Sequence, residues 1–328
     1  MAEPVRQWLV EEGIAEHRAI RLSGGRIAEA AISWPDRLNP GSVVEAKLIV
    51  RQAGSPRGTA LVPTGEEVLV DRLPRDAAEG ASLRLSISRA ASDGPGRAKR
   101  AQGRPSEAPL QTLSLADSLR AEGAAVSVVR RFPMNDWDEL VSEALTGEIG
   151  FAGGSLLLFP TPALTAVDVD GTLAGRALAL AAAQALGEAL PRLAIGGSVA
   201  VDFPTLGDKA DRRAVDTALA QALEDWPHER TAMNGFGLVQ LVARSKRPSL
   251  LQLGHWRRDG LVWRRLLRRA EMLDGAGVIE LSIHPRLERE VAPDHIADLE
   301  RRSGRRVRLS KLTALAPEAP NAQLVSDE

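Results

Sequence analysis

Two strand-like runs in this chain each close on acidic side chains. The first is Ala166-Val167-Asp168-Val169-Asp170-Gly171, the second Ser198-Val199-Ala200-Val201-Asp202-Phe203, with a helix-like stretch rich in Ala and Leu between them. A carboxylate at the end of a buried strand is costly to desolvate unless it is paired or holds a cation. Two such strand ends meeting at one sheet edge would gather three carboxylates around one oxygen-ligand site. That donor set suits Mg²⁺ or Mn²⁺, which take a few carboxylates and complete their shells with water and substrate phosphate. The competing reading is helix capping, with Asp168 or Asp170 and Asp202 starting the helices that follow them.

Other chemistries are narrowed by composition. The chain has no Cys, which excludes disulfides and thiolate metal sites. Its 42 basic and 43 acidic residues nearly cancel, so no global field steers a polyanion and any cationic surface is local. The cations are overwhelmingly Arg, whose fork grips phosphate in a way Lys does not. With no Tyr, six Trp and five Phe, stacking on bases must rest on few side chains. His228, His255 and His284 read as surface or packing residues, and Asp208 and Asp211 as support for the start of a helix. Trp256-Arg257-Arg258 and Trp263-Arg264-Arg265-Leu266-Leu267-Arg268-Arg269 interleave rings and cations. That spacing fits either an RNA-stacking surface or an amphipathic helix whose Leu and Trp pack inward. There is no apolar stretch of membrane length and no signal-like N-terminus, so the expected setting is soluble and cytoplasmic, with no membrane partner.

The elements that must position the acids read as follows. His17–Leu22 and Arg26–Ile32 flank Ser23-Gly24-Gly25, a hairpin signal within a segment 1–38. Short strands at Val43–Arg51, Thr59–Val62, Glu67–Val70 and Ser82–Ile87 suggest a small antiparallel barrel over 39–91. Residues 92–109, with Gly96-Arg97-Ala98-Lys99-Arg100 at their centre, read as a mobile basic linker. Strands and helices alternate through 110–250: strands near 125–129, 155–159, 163–169, 198–203 and 238–243, helices near 136–145, 177–190 and 209–224. A small α+β unit is expected over 251–315, and a disordered tail over 316–328. The fold class is therefore α/β, in several domains.

Residues about 138–250 resemble the ribonuclease E/G family. The run Gly153-Gly154-Ser155-Leu156-Leu157-Leu158, followed by Pro162-Ala163-Leu164-Thr165-Ala166-Val167-Asp168-Val169-Asp170, is similar to the family's approach to its first catalytic Asp. Ile195-Gly196-Gly197-Ser198-Val199-Ala200-Val201-Asp202-Phe203 is similar to its second. Gly237-Leu238-Val239-Gln240-Leu241, then Arg244, Lys246, Arg247 and Pro248-Ser249-Leu250, resembles the strand and basic turn that close the catalytic subdomain. Weaker likenesses lie outside this region. Glu16-His17-Arg18-Ala19 through Arg26-Ile27 resembles the opening hairpin, residues 40–90 an S1 barrel, and Glu300-Arg301-Arg302-Ser303-Gly304-Arg305-Arg306-Val307 a step in the small C-terminal domain.

The resemblance implies a DNase I-like catalytic subdomain, an N-terminal S1/OB-like β-barrel and a small C-terminal α+β domain. It implies Mg²⁺-dependent endoribonuclease cleavage of single-stranded RNA, in RNA processing or turnover, leaving 5′-phosphate and 3′-hydroxyl ends. Asp168 and Asp202 fall on the metal-binding acids. Asp170 falls where the family usually has an Asn that orients the second Asp. Arg230 falls near a basic residue of the RNA channel, and with Arg244, Lys246 and Arg247 it is a candidate for backbone phosphate contacts.

Three departures qualify these implications. The family's Cys-Pro-x-Cys zinc-link is absent, so zinc is not expected and any homodimer forms without it. The stretch that would hold a 5′-end sensor is short. Ala179-Leu180-Ala181-Ala182-Ala183 stands where an Asn-Leu-Glu-Ala-Ala run often opens the intervening helix. Two further readings therefore remain: an RNA-binding protein with a degenerate catalytic site, and a structural module whose acids are helix caps.

Overall fold

The computed structural model describes residues 7–94 and 99–326. The chain forms two compact units: a larger one holding most of the chain through Trp256, and a smaller one made of Glu12–His17, Trp34–Asp36 and the chain from Arg257 onward. The architecture is mixed α/β with a closed five-stranded barrel and three open sheets among the described residues. No helix there is long and apolar enough to cross a membrane.

The larger unit begins with β1 (Gln7–Glu12) and β2 (His17–Ser23), apart from their end residues Glu12 and His17, and with β3 (Arg26–Ser33). Gly24 and Gly25 both have positive φ, which joins β2 to β3 with a twist matching the strands. The barrel follows: β4 (Val43–Arg51), β5 (Arg57–Leu61), β6 (Glu67–Asp71), β7 (Ser82–Arg89) and β8 (Ala101–Pro105), closed in the order β4-β5-β6-β8-β7. Leu48, Val68, Val70, Leu85 and Ile87 fill it. Helix α1 (Leu115–Ala121), capped by the Ser114 hydroxyl, leads to β9 (Ala125–Val128), which pairs in parallel with β1. The barrel is thus an insertion between β3 and β9 of one sheet, and the hairpin does not stand alone as a 1–38 segment.

The linker expectation for 92–109 is corrected. Ser92 and Lys99 form a bridge, and β8 closes the barrel against β6 and β7. Gly103 sits where a Cβ would lie 3.0 Å from the Ser86 carbonyl, so the glycine that looked like linker composition permits close strand packing. The Gly96-Arg97-Ala98 part of the basic core lies outside the described residues.

Next come α2 (Trp137–Thr146), β10 (Glu148–Phe151), β11 (Gly154–Pro160), β12 (Thr165–Gly171), α3 (Gly175–Arg192), β13 (Gly197–Asp202), α4 (Lys209–Ala222), β14 (His228–Arg230), β15 (Leu238–Ala243) and α5 (Leu250–Trp256). They build a six-stranded sheet in the order β10-β11-β12-β13-β15-β14. Its one parallel pair, β12 with β13, is joined by the α3 crossover. Leu178, Ala182, Leu186 and Ala189 recur at helical spacing on α3 and are buried where it packs on β10, β11 and β12. A Cβ at Gly187 would strike Ala222, so this glycine lets α3 and α4 touch.

In the smaller unit α6 (Arg258–Glu271) and α7 (Pro293–Ser303) accompany β16 (Val278–Ile283), β17 (Val307–Lys311) and β18 (Asn321–Val325). The central strand β16 pairs in parallel with β17 and antiparallel with β18. Two expectations are corrected here. The tail is not disordered through 316–326, because β18 completes this sheet. The boundary falls at 256–257 rather than 250–251, since α5 packs with α2 in the larger unit.

Candidate active site

Asp168 on β12 and Asp202 on β13 are register partners in the parallel pair. Neighbouring strands lie about 4.8 Å apart, and side chains at one register level share a face. Val167 and Val169 on β12, and Val199 and Val201 on β13, point into the core. The alternation therefore sends Asp168, Asp170 and Asp202 together to the opposite, open face, where all three are exposed. The acids do not sit at buried positions, as the sequence suggested, so they bear no large desolvation cost.

The capping alternative does not survive this geometry. Helix α3 starts from Ala174 with no side-chain cap, and α4 starts from Asp208, whose carboxylate accepts the Ala210 N–H at 2.8 Å. Asp211 pairs with Arg176 at 3.0 Å, which ties the two helix starts together. None of Asp168, Asp170 and Asp202 caps a helix.

The glycines of the Gly153-Gly154 run have a physical role here. Gly154 is the register partner of Gly171, and a Cβ at Gly154 would lie 2.4 Å from the Asp170 carbonyl. A Cβ at Gly171 would likewise lie 2.4 Å from the Gly153 carbonyl. Only glycine allows β11 to approach the end of β12 so closely, and this approach fixes the backbone carrying Asp170. On the far side, Leu238 of β15 is the register partner of Asp202.

Asp170 Oδ1 accepts the N–H of Gly171 at 2.8 Å. Among the described residues, Asp168 and Asp202 form no ion pair and no side-chain hydrogen bond. Two like charges at one register level repel each other. A hard divalent cation would relieve that repulsion, and Mg²⁺ needs only one or two carboxylates beside water and phosphate. The donor chemistry of the pair therefore fits such an ion. Among the described residues no cluster of three or more His, Cys, Asp or Glu is arranged as a metal site, so two carboxylates would be the protein's share.

The basic candidates are dispersed. Arg230 donates to the Asp216 carboxylate at 3.0 Å and to its carbonyl at 2.9 Å, locking β14 to α4. Arg247, only 11% exposed, binds Glu122 at 2.7 Å and the Ser118 hydroxyl. Lys246 reaches the same Glu122 at 3.0 Å. These three already hold internal partners. Arg244 is exposed and, among the described residues, without an ion pair.

The Trp-Arg stretch after residue 255 resolves as packing. Trp263 is fully buried, Arg264 and Arg268 nearly so, and the Arg264 guanidinium lies 3.8 Å from the Trp34 ring centroid. Burial lowers the Arg264 pKa from its usual value, against the opposing pull of Asp36, Glu16 and Glu290. The histidines are structural where their bonds are seen. His228 stacks on Trp226, and His284 Nδ1 accepts the Arg286 N–H. In the larger unit, burial raises the pKa of Glu143 although Arg192 binds it at 2.7 Å.

One feature of the open face escaped the sequence reading. Phe159 (53% exposed), Val242 and Phe236 (81% exposed) are apolar side chains left in water on or beside it. The signal lay in β15, whose residues are apolar at both parities except for Gln240. No protein-family model matches the chain and no curated protein is significantly similar to it.

Proposed function

We propose that this chain is a Mg²⁺-dependent endoribonuclease of the ribonuclease E/G type, cutting phosphodiester bonds of single-stranded RNA in cytoplasmic RNA processing or turnover. One observation carries the reading: Asp168 and Asp202 share a register level on adjacent parallel strands, on an open face, uncapped and without an ion-pair partner among the described residues. In this reading the six-stranded sheet is the DNase I-like catalytic subdomain. The inserted five-stranded barrel is the S1/OB-like module, whose class is a five-stranded Greek-key barrel. The smaller unit is the C-terminal α+β domain. Any pairing with a second copy is made without a zinc-link.

Asp168 and Asp202 would hold the cation, Mg²⁺ or Mn²⁺, from the sheet face. When bound, that ion would polarise a phosphoryl oxygen and lower the pKa of a water. Asp170 adds a third negative charge beside the pair, with one oxygen tied to Gly171. Arg244 supplies an exposed guanidinium for a backbone phosphate, which positions the strand without reading its sequence.

Asp170 also favours a second reading, an RNA-binding protein with a degenerate site. A carboxylate there accepts only, whereas the family's amide can also donate a hydrogen bond. Labelled single-stranded RNA separates the readings. Mg²⁺-dependent cleavage supports the nuclease, binding without cleavage the degenerate binder, and neither leaves only a structural module.

A further inference from the structure

We propose that Phe236 is a nucleobase-stacking residue, seating one base of a single-stranded RNA beside the Asp168–Asp202 pair. The inference rests on the nucleic-acid reading of that pair and deepens it by naming what positions the strand.

Phe236 is the most exposed large apolar side chain among the described residues. An exposed ring on a loose loop would mean little, but this one stands on a turn bonded from two sides. Within the turn, Asn234 Oδ1 accepts the N–H groups of Phe236 at 2.9 Å and Leu238 at 3.1 Å. The Gly237 N–H donates to the Asn234 carbonyl, and the Asn234 N–H to that of Leu238, both at 3.2 Å. From outside, the Phe203 N–H donates to the Gly237 carbonyl at 3.2 Å, and the Thr205 hydroxyl to the Phe236 carbonyl at 3.4 Å. Gly237 has φ +91°, and a Cβ there would lie 2.2 Å from the Phe203 carbonyl, so only glycine closes the turn onto this strand end.

Phe203 follows Asp202 directly, and Leu238, the register partner of Asp202, lies two residues after Phe236. The turn that fixes the ring is therefore bonded to the strand end that carries the acid. No ordering cost for the backbone falls due when a flat ligand binds, so stacking contributes nearly its full strength. Few other rings compete. All six Trp are buried or half-buried, and of the five Phe only Phe159 and Phe236 are exposed. A protein surface laid over Phe236 would crowd two unneutralised carboxylates, whereas a nucleotide brings a base for the ring and a phosphate with its counter-cation for the acids.

The test uses the full chain and a 3′-fluorescein-labelled single-stranded RNA of about twelve nucleotides, within the usual site size. Binding is followed by anisotropy with Ca²⁺ in place of Mg²⁺, and gels verify that the RNA stays intact. Phe236→Ala and Phe236→Leu should each weaken binding at least about fivefold, and Phe236→Trp should hold it within about twofold. An abasic strand, with every phosphate but no base, should bind the parent and Phe236→Ala alike. Melting temperatures should not move, since the ring is out in water. Parent-like binding by Phe236→Ala or Phe236→Leu would overturn the inference and leave the nuclease reading standing. Phe236-dependent binding with no Mg²⁺-dependent cleavage would uphold stacking and defeat the nuclease. Absence of any RNA binding by the parent would overturn both.

Discussion

Asp168 and Asp202 occupy the same register level of the only parallel pair in their sheet, and neither has an ion-pair partner among the described residues. Like charges placed so destabilise a sheet. The neighbouring acids behave differently: Asp208 caps α4, Asp211 holds Arg176 and Asp216 holds Arg230. Asp168 and Asp202, which the strand alternation gathers on the open face, hold no such partner among the described residues.

The basic turn after β15 splits into a structural and a functional part. Arg247→Ala should lower stability by about 1–3 kcal/mol, because its nearly buried guanidinium joins Ser118 and Glu122 of α1 and its C-cap. Arg244→Ala should leave the melting temperature unchanged and weaken RNA binding about equally for all sequences. It should also reduce the salt slope of binding by about one. Denaturation and salt-titrated binding of the two variants check this. A stable Arg247→Ala with impaired binding would reverse the assignment.

In the smaller unit, Trp263 Nε1 donates to His295 Nδ1 at 3.1 Å, which requires that nitrogen to be unprotonated. Burial, followed by the nearby Arg264 charge, lowers the His295 pKa from 6.5, and burial lowers that of His17 in the same unit. Between the lowered folded values and 6.5 the unfolded chain binds more protons, so stability falls as pH drops below about 6.5. His295→Gln keeps an acceptor and should flatten part of this slope. Urea unfolding at several pH values between about 7.5 and 5 reads it out. A slope unchanged in the variant would contradict this role for His295.

Cleavage should be nearly indifferent to the 5′ end. A doubly charged terminal phosphate needs several fixed donors. Two cations in the short segment after the barrel are engaged locally, Arg120 with Asp117 at 2.9 Å and Arg131 with Asn135 at 3.4 Å, and Arg130 is not without a partner. Matched 5′-monophosphate and 5′-hydroxyl substrates should differ in rate by less than about threefold, or roughly 0.7 kcal/mol. A tenfold preference for the monophosphate would reveal a sensing site.

Zinc should not hold the molecule together. With no Cys and five His at no zinc-site spacing, chelation should leave both the sedimentation coefficient and the melting temperature unchanged. A loss of either that only Zn²⁺ restores would show otherwise.

The sequence revealed elements with strong periodicity. Val43–Arg51 and Leu238–Ala243 were legible to the residue, and the two hairpin strands around Gly24-Gly25 to within one residue, each running one residue further than expected. The acid pair was legible because buried Val recurs at every second position on both strands, leaving Asp168 and Asp202 at the other parity. Strands β8 and β18 were not, since Ala-Gln-Gly-Arg-Pro and Asn-Ala-Gln-Leu-Val become strands only by pairing. Helix α5 carried an overlooked signal. Ser249 and Gln252 exchange hydrogen bonds as a capping box, which marks a helix running across the expected boundary at 250–251. The partners of Arg230 and Arg247 could not be read, because Asp216 and Glu122 reach them only through tertiary packing.

The most direct test of the central claim is cleavage of an end-labelled single-stranded RNA across an Mg²⁺ titration, by the parent, Asp168→Asn and Asp202→Asn. Each substitution removes one ligand charge at nearly constant volume on an exposed position, so the fold should persist by circular dichroism. The parent should cut in proportion to Mg²⁺ occupancy, and each variant should lose at least about a hundredfold in rate, equivalent to about 2.7 kcal/mol of transition-state stabilisation. Parent-rate cleavage by either variant at limiting Mg²⁺, or no cleavage by the parent at any Mg²⁺ concentration, would contradict the account.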